Sequence, residues 1–148
     1  MEMRPPFLLL KIVYDDDDLI EFESRLIAGD CAGKFRAYAS AMSAQKNAES
    51  LARWVPKPDS PFVVELGDNT VNGWVCLRFR RVDRAGHIVC YMQLADMATS
   101  LWADEGVNRL AIRMQVEPGH IERFARELKA AAGTRRGEAL LQGRSTTD

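Results

Sequence analysis

The chain of 148 residues contains only three cysteines and two histidines. The cysteines, at 31, 76 and 90, are odd in number, widely spaced and without a CxxC pair. Such a set predicts neither a disulfide framework nor a zinc site. We therefore expect small buried hydrophobic cysteines in a reducing compartment, with no metal and no cofactor.

An excess of charge of either sign is also lacking. The 20 basic residues nearly balance 21 acidic ones, for a net charge of -1. The overall charge therefore gives no electrostatic reason to expect nucleic acid or an anionic membrane as a partner. The apolar run at 7–10 is followed by Lys11, so it is too short to span a membrane, and no small-residue cleavage site follows it. We expect a cytoplasmic bacterial protein with no nucleic-acid or membrane partner.

Strong catalytic motifs are missing as well. No glycine-rich phosphate loop occurs, and the segment 29–33 has the outer glycines of a nucleophile elbow but lies where a bend is expected. Two histidines remain, His87 at the start of a predicted strand and His120 in the first turn of a predicted helix. They support the alternative hypothesis, a small-molecule-binding or enzymatic domain that uses His87 or His120.

The residues that are present have the composition of a globular domain. Hydrophobic residues make up 47% of the chain and charged residues 28%, and a chain of this length buries enough surface to fold without disulfides or metals. From Thr134 the composition changes to arginine, glycine, serine and threonine. We expect one α+β domain over 1–133 and a flexible tail over 134–148, with at most a weak helical turn at 138–142.

Apolar runs and the alternation of apolar and polar residues predict most of the strands. An apolar run of strand length places one at 7–14, alternation places others at 19–28, 74–82, 87–94 and 109–116, and a short apolar run adds one at 62–66. A turn at Asp83–Gly86 joins the strands at 74–82 and 87–94 into a hairpin. The segment 29–42 fits either a helix or a strand, and we favour a strand over about 33–39.

Two amphipathic helices complete the prediction. The first carries apolar residues at three- and four-residue steps from Ala41 to Val55 and ends at Pro56, while the second begins near Pro118 and is closed by Gly133. The order β-β-(β)-α-β-β-β-β-α predicts an α+β fold. We expect a mostly antiparallel sheet of about six to seven strands with two helices packed on one face, and we look for function on the uncovered face.

The uncovered face of the predicted sheet combines aromatic and guanidinium groups. Its members are Trp74, Arg78, Arg80, Tyr91, Gln93, Arg109, Arg113 and Gln115. Such groups anchor protein interfaces and hold acidic side chains. Single-stranded RNA binding would use the same residue types, but the aromatic strand motif of the common RNA-recognition fold is absent. A solvated sheet face remains the plainer interpretation.

Two loops are further candidates for contact with a partner. Asp15, Asp16, Asp17 and Asp18 form a run that favours a solvated hairpin turn, and the alternating ligands and distal glutamate of a calcium loop do not follow it. The segment 96–106 places Trp102 among acidic residues, either as a contact element or as a helical turn folded onto the sheet.

The turn at Asp83–Gly86 with His87, and the later stretch Val116–Ile121 with Phe124 and Leu128, resemble the C-terminal half of several small bacterial families of unassigned function. The earlier stretch from Phe22 and Glu23 through Gly29, Gly33, Tyr38 and Leu51 fits the same outline. Some of those families resemble immunity proteins encoded beside polymorphic toxins. The resemblance covers about residues 7–131 and implies a non-enzymatic protein-binding role in which an exposed surface meets another protein, such as a toxin domain. A homodimer formed through an exposed strand edge is a further hypothesis.

Overall fold

A computed structural model describes residues 4–68, 72–97 and 107–144, and within that part it contains eight strands and two helices. In chain order these are β1 Phe7–Asp16, β2 Leu19–Ala28, β3 Cys31–Ser40, α1 Ala41–Arg53, β4 Phe62–Gly67, β5 Asn72–Arg81, β6 Ile88–Met97, β7 Arg109–Val116, α2 Pro118–Thr134 and β8 Gly137–Gln142. The strands form a first sheet in the order β3-β2-β1-β8 and a second sheet in the order β4-β5-β6-β7. Every pairing in both sheets is antiparallel.

The α+β class and the antiparallel pairing are confirmed, but the single sheet of six to seven strands is wrong. Alternation along a strand reveals which face is buried, yet it does not reveal the neighbouring strand. Here α1 and the loop 54–61 separate β3 from β4, and β4 begins the second sheet.

The core lies where the inner faces of both sheets meet both helices. One continuous cluster of buried side chains includes Phe22 from the first sheet, Phe79 from the second and Phe124 from α2. Helix α1 contributes its alanine-rich side, and its first turn is capped by Ser40, whose Oγ accepts a hydrogen bond from Ser43 N at 3.3 Å. The apolar stripes predicted for both helices are therefore the sides that pack.

The C-terminal segment differs from its prediction. Residues 137–142 form β8, which pairs with β1, so the flexible tail and the helical turn expected there are wrong for these residues. Three consecutive apolar residues, Ala139 to Leu141, are buried by this pairing, and their burial offsets the cost of ordering the chain. Helix α2 also runs past Gly133 to Thr134, and Arg135 ends it in the left-handed conformation with φ 60.

The ambiguous segment 29–42 is a strand followed directly by a helix, since β3 ends at Ser40 and α1 begins at Ala41. Strand β3 approaches the second sheet closely at Gly73. This glycine has φ +84, and a Cβ atom there would overlap the carbonyl oxygen of Arg36 and the backbone of Ala37. At the same place Arg36 N donates to Asp96 Oδ1 at 2.9 Å. The two sheets thus contact each other through backbone as well as through the core.

The cysteines are all free, but only Cys90 is buried as expected. Burial raises its thiol pKa well above the usual value. Cys76 is half-buried and Cys31 is exposed at the start of β3. The expectation of three buried cysteines is wrong for Cys31, because the hairpin turn that precedes it lies in solvent.

Candidate functional site

The outer face of the second sheet, which the helices do not cover, carries one row of side chains across all four strands. Val63 on β4 lies beside Arg78 on β5, Arg78 beside Tyr91 on β6, and Tyr91 beside Arg113 on β7. Alternation along each strand fixes this arrangement, because the residues on either side of each member point into the core. We call Val63, Arg78, Tyr91 and Arg113 the binding row.

The centre of the binding row is a stacked pair. The guanidinium carbon of Arg78 lies 5.3 Å from the centroid of the Tyr91 ring, within the range of a cation–π interaction. No ion pair to Arg78, Arg80 or Arg113 occurs within the described ranges. These guanidinium groups therefore keep their hydrogen-bond donors available for carboxylates of another molecule.

Beside the binding row lies a second fixed aromatic group. Trp74 Nε1 donates to Glu65 Oε2 at 2.9 Å, which satisfies the indole and holds it against β4. Cys76 lies between this pair and Arg78 on the same strand. Its thiol pKa is raised, first by burial and then by the Glu65 carboxylate, while Arg78 opposes the rise. A raised pKa keeps the thiol protonated and unreactive.

The outer face is concave along the binding row. A shallow depression of about 680 Å³ is lined by Val63, Cys76, Arg78, Tyr91, Met92, Gln93, Ala111, Ile112 and Arg113. Ala111 on β7 has a short side chain and lies beside Gln93 on β6, and Arg78 and Arg113 also line the depression. Such a surface combines an apolar floor with cationic edges, and it can hold a segment of protein that carries acidic side chains.

Five of the predicted site residues share this face. Trp74, Arg78 and Arg80 lie on β5, Tyr91 on β6 and Arg113 on β7, with Arg80 one row beyond Arg78 and next to Val89. The predicted combination of aromatic and guanidinium groups is therefore brought together by β5, β6 and β7.

The acidic run is placed elsewhere, at the hairpin between β1 and β2 in the first sheet. Asp15, Asp16, Asp17 and Asp18 are all exposed, and β1 extends as far as Asp16. Asp15 Oδ1 accepts a hydrogen bond from Arg135 Nη1 at 3.0 Å. The structure therefore does not bring the acidic run onto the same sheet as the binding row. Trp102 lies outside the described residues.

The alternative site at the histidines has one ordered contact. His87 Nδ1 lies 2.6 Å from Asp83 Oδ2, and His87 N donates to Asp83 Oδ1 at 3.1 Å. The hydrogen bond from the imidazole is the main cause of the lowered pKa of Asp83. These contacts close the β5–β6 turn on itself, and both side chains remain about half exposed. At His120 the Nδ1 atom is buried without a hydrogen-bond partner within the described ranges. A role for either histidine in chemistry stays a prediction.

Sequence reasoning missed three residues of this outer face, namely Val63, Glu65 and Ala111. The signal for Val63 and Glu65 was the alternation within 62–66, which places both on the side opposite Val64 and Leu66. No local signal identified Ala111, because its importance comes from the larger neighbours on β6. In the part of the chain that the structure describes, no group of three or more histidine, cysteine, aspartate or glutamate residues is placed to hold a metal ion.

Neither described helix is long and apolar enough to cross a membrane. Comparison of the chain with protein-family models, with curated proteins and with solved structures gives no match.

Proposed function

We propose that this chain is a non-enzymatic protein-binding domain that contacts its partner through the outer face of the second sheet. The observation that carries the proposal is the binding row, in which Arg78 stacks on Tyr91 and Arg113 lies opposite Tyr91 on the neighbouring strand. Tyrosine and arginine are the residue types that most often dominate binding energy at protein interfaces. The partner surface is acidic, because four arginines and one glutamate face outward on this sheet.

The arrangement of the binding row favours binding energetically. Stacking on Tyr91 already restricts Arg78, so less side-chain entropy is lost when a carboxylate binds. The depression beside it supplies apolar contact, and a partner that fills it excludes water from the new ion pairs. Affinity should therefore depend on both charge and apolar contact, with salt weakening the charged part.

The resemblance noted in the sequence implies a more specific form of this function, an immunity-type role in which the face covers a toxin domain. We also propose the cytoplasm as the location, since three free cysteines fit a reducing compartment.

A site-specific cross-linking experiment tests the proposal. A photo-reactive amino acid is placed at Ala111, beside the binding row, and in a control protein at Lys46, which is exposed on α1. Both proteins are irradiated in lysate of the native host. A partner that cross-links from position 111 and not from position 46 is then identified by mass spectrometry and produced pure.

Affinity measurements with that pure partner complete the test. The Arg78→Glu and Arg113→Glu variants should each weaken binding by at least about thirtyfold, the range of an interface hot spot. The matched control is Arg25→Glu, which reverses an exposed arginine on the first sheet and should leave the affinity within about twofold. If neither reversal on the second sheet weakens binding more than the control does, the proposed surface is wrong.

A further inference from the structure

The edge strands of the two sheets differ in how their backbones are protected. An exposed edge offers unpaired N–H and C=O groups to any extended chain, and proteins usually block such edges. Strand β3 is blocked where Arg36 N donates to Asp96 Oδ1 at 2.9 Å. On β4 the Asn47 side chain contacts both backbone groups of Glu65, each at 3.4 Å. In both cases a side chain from another element occupies the place of a neighbouring strand.

Strand β8 is blocked in the same way, because Leu140 N donates to Glu127 Oε1 at 3.0 Å. Strand β7 is the exception. Gln115 O accepts from Arg144 N at 2.7 Å at one end of it, while Asn108 O at the other end accepts from Asp96 N on β6. The Asn108 carbonyl thus points toward β6, and the Gln115 carbonyl points away from it. Because backbone groups alternate in direction from one residue to the next, the odd-numbered residues of β7 direct their N–H and C=O groups away from β6.

The open part of the β7 edge is therefore at Ala111 and Arg113. Their backbone N–H and C=O groups have no hydrogen-bond partner among residues 4–68, 72–97 and 107–144. This edge is continuous with the binding row, because Arg113 belongs to both. A partner that occupies the outer face thus reaches, at its border, four backbone groups that have no partner in the part of the chain that the structure describes.

The side chains of β7 define the strand that would fit beside it. Arg109 and Arg113 lie on the outer face on either side of Ala111, whereas Leu110 and Ile112 are half-buried and pack against the core. A complementary strand carries acidic residues four positions apart on its outer side and apolar residues between them on its inner side. A second copy of β7 fits poorly, because pairing centred on Ala111 sets Arg109 opposite Arg113.

We propose that the β7 edge binds an extended segment of the partner protein as an additional antiparallel strand, with the pattern acidic, apolar, small, apolar, acidic. This inference rests on the proposed function and adds the form in which the partner is bound. Main-chain hydrogen bonds to Ala111 and Arg113 supply part of the affinity, and the arginines select the acidic side chains.

A synthetic peptide tests the proposal with the full chain. The probe is Thr-Glu-Val-Thr-Val-Glu-Thr with blocked ends, which sets its central threonine opposite Ala111. In an antiparallel pair that threonine directs its N–H toward β7, whereas each valine N–H points away. N-methylation of the central threonine therefore removes a bond to β7, and N-methylation of the following valine is the matched control. Binding is measured by titration of the amide resonances in NMR.

The unmodified peptide should shift and protect the amides of Ala111 and Arg113. Methylation of the threonine should weaken binding at least about fivefold, the effect of one lost hydrogen bond, and methylation of the valine should change it less than twofold. Replacement of both glutamates by lysine should abolish binding.

Three results would overturn the proposal. They are no binding at millimolar peptide, equal affinity of the threonine-methylated and unmodified peptides, and a concentration-dependent dimer that protects the β7 amides without peptide. Each of them leaves the proposed function intact if Arg78→Glu still weakens binding of the cross-linked partner. The loss of that effect, by contrast, refutes the proposed function itself.

Discussion

Replacement of Gly73 by alanine tests the contact between the two sheets. Gly73 has φ +84, and its missing side chain makes room for the Arg36 carbonyl oxygen and the Ala37 backbone of β3. Two separate costs are expected. A residue with a Cβ atom in the left-handed region loses about 1–2 kcal/mol, and backbone atoms that must move apart in a packed region cost about 1–3 kcal/mol more.

Gly86 provides the matched control for this substitution. It has φ +91 in the β5–β6 turn, but a Cβ atom there would meet nothing within 4 Å. Gly86→Ala should therefore lower the free energy of unfolding by only about 1–2 kcal/mol, whereas Gly73→Ala should lower it by about 2–5 kcal/mol. The difference between the two variants measures the close approach of β3.

Urea denaturation followed by tryptophan fluorescence measures both variants under identical conditions. The midpoint should fall further for Gly73→Ala, with an unchanged slope, because the same surface is exposed on unfolding. If the two variants lose equal stability, β3 does not pack on β5 as described, and the account of how the sheets meet is wrong.

Three further predictions concern single side chains. Ser24 is fully buried in the first sheet, and its hydroxyl has no hydrogen-bond partner within the described ranges. Ser24→Ala should therefore raise the free energy of unfolding, measured by urea denaturation, by about 1 kcal/mol. A loss of stability would show that the hydroxyl is hydrogen-bonded. Asn47→Ala should lower that free energy by about 1 kcal/mol, because it exposes the Glu65 backbone groups on β4, and an unchanged midpoint would contradict the blocked edge. The pKa of Asp83 is lowered from its ordinary value of 3.8 by the hydrogen bond from His87. The resulting stabilisation is present above pH 3.8 and is lost as the pH falls through the lower folded value. Asp83→Asn should therefore be less stable than the natural chain at about pH 5 and should converge with it at about pH 2, and a constant difference across that range would argue against the contact.

The hairpin of β5 and β6 shows how much of the fold could be predicted from local pattern. Apolar residues at alternate positions and the turn at Asp83–Gly86 predict the two strands and the face that enters the core, and β7 follows from the same alternation. The grouping of Trp74, Arg78, Tyr91 and Arg113 on one face was predictable for the same reason.

The partition into two sheets could not be predicted in that way. Pairing of β8 with β1 joins residues more than 120 positions apart, and nothing in a period of two encodes the neighbour of a strand. The C-terminal segment was predicted to be flexible because arginines and glycines surround only three apolar residues. The burial of those three residues depends entirely on pairing with β1. The side chains that block edges, such as Asn47 and Glu127, also fall outside the local pattern, since each acts on a separate strand, 18 and 13 residues further along the chain.

Hydrogen exchange of the complex with the cross-linked partner tests the central claim most directly. Binding through the outer face of the second sheet predicts slowed exchange in β5, β6 and β7. Addition of a partner strand at the β7 edge further predicts that Ala111 and Arg113 are the most strongly protected amides. The Asp15–Asp18 hairpin should exchange at the same rate in the free and bound protein. Protection confined to that hairpin, with β7 unchanged, would contradict the assignment of the binding surface.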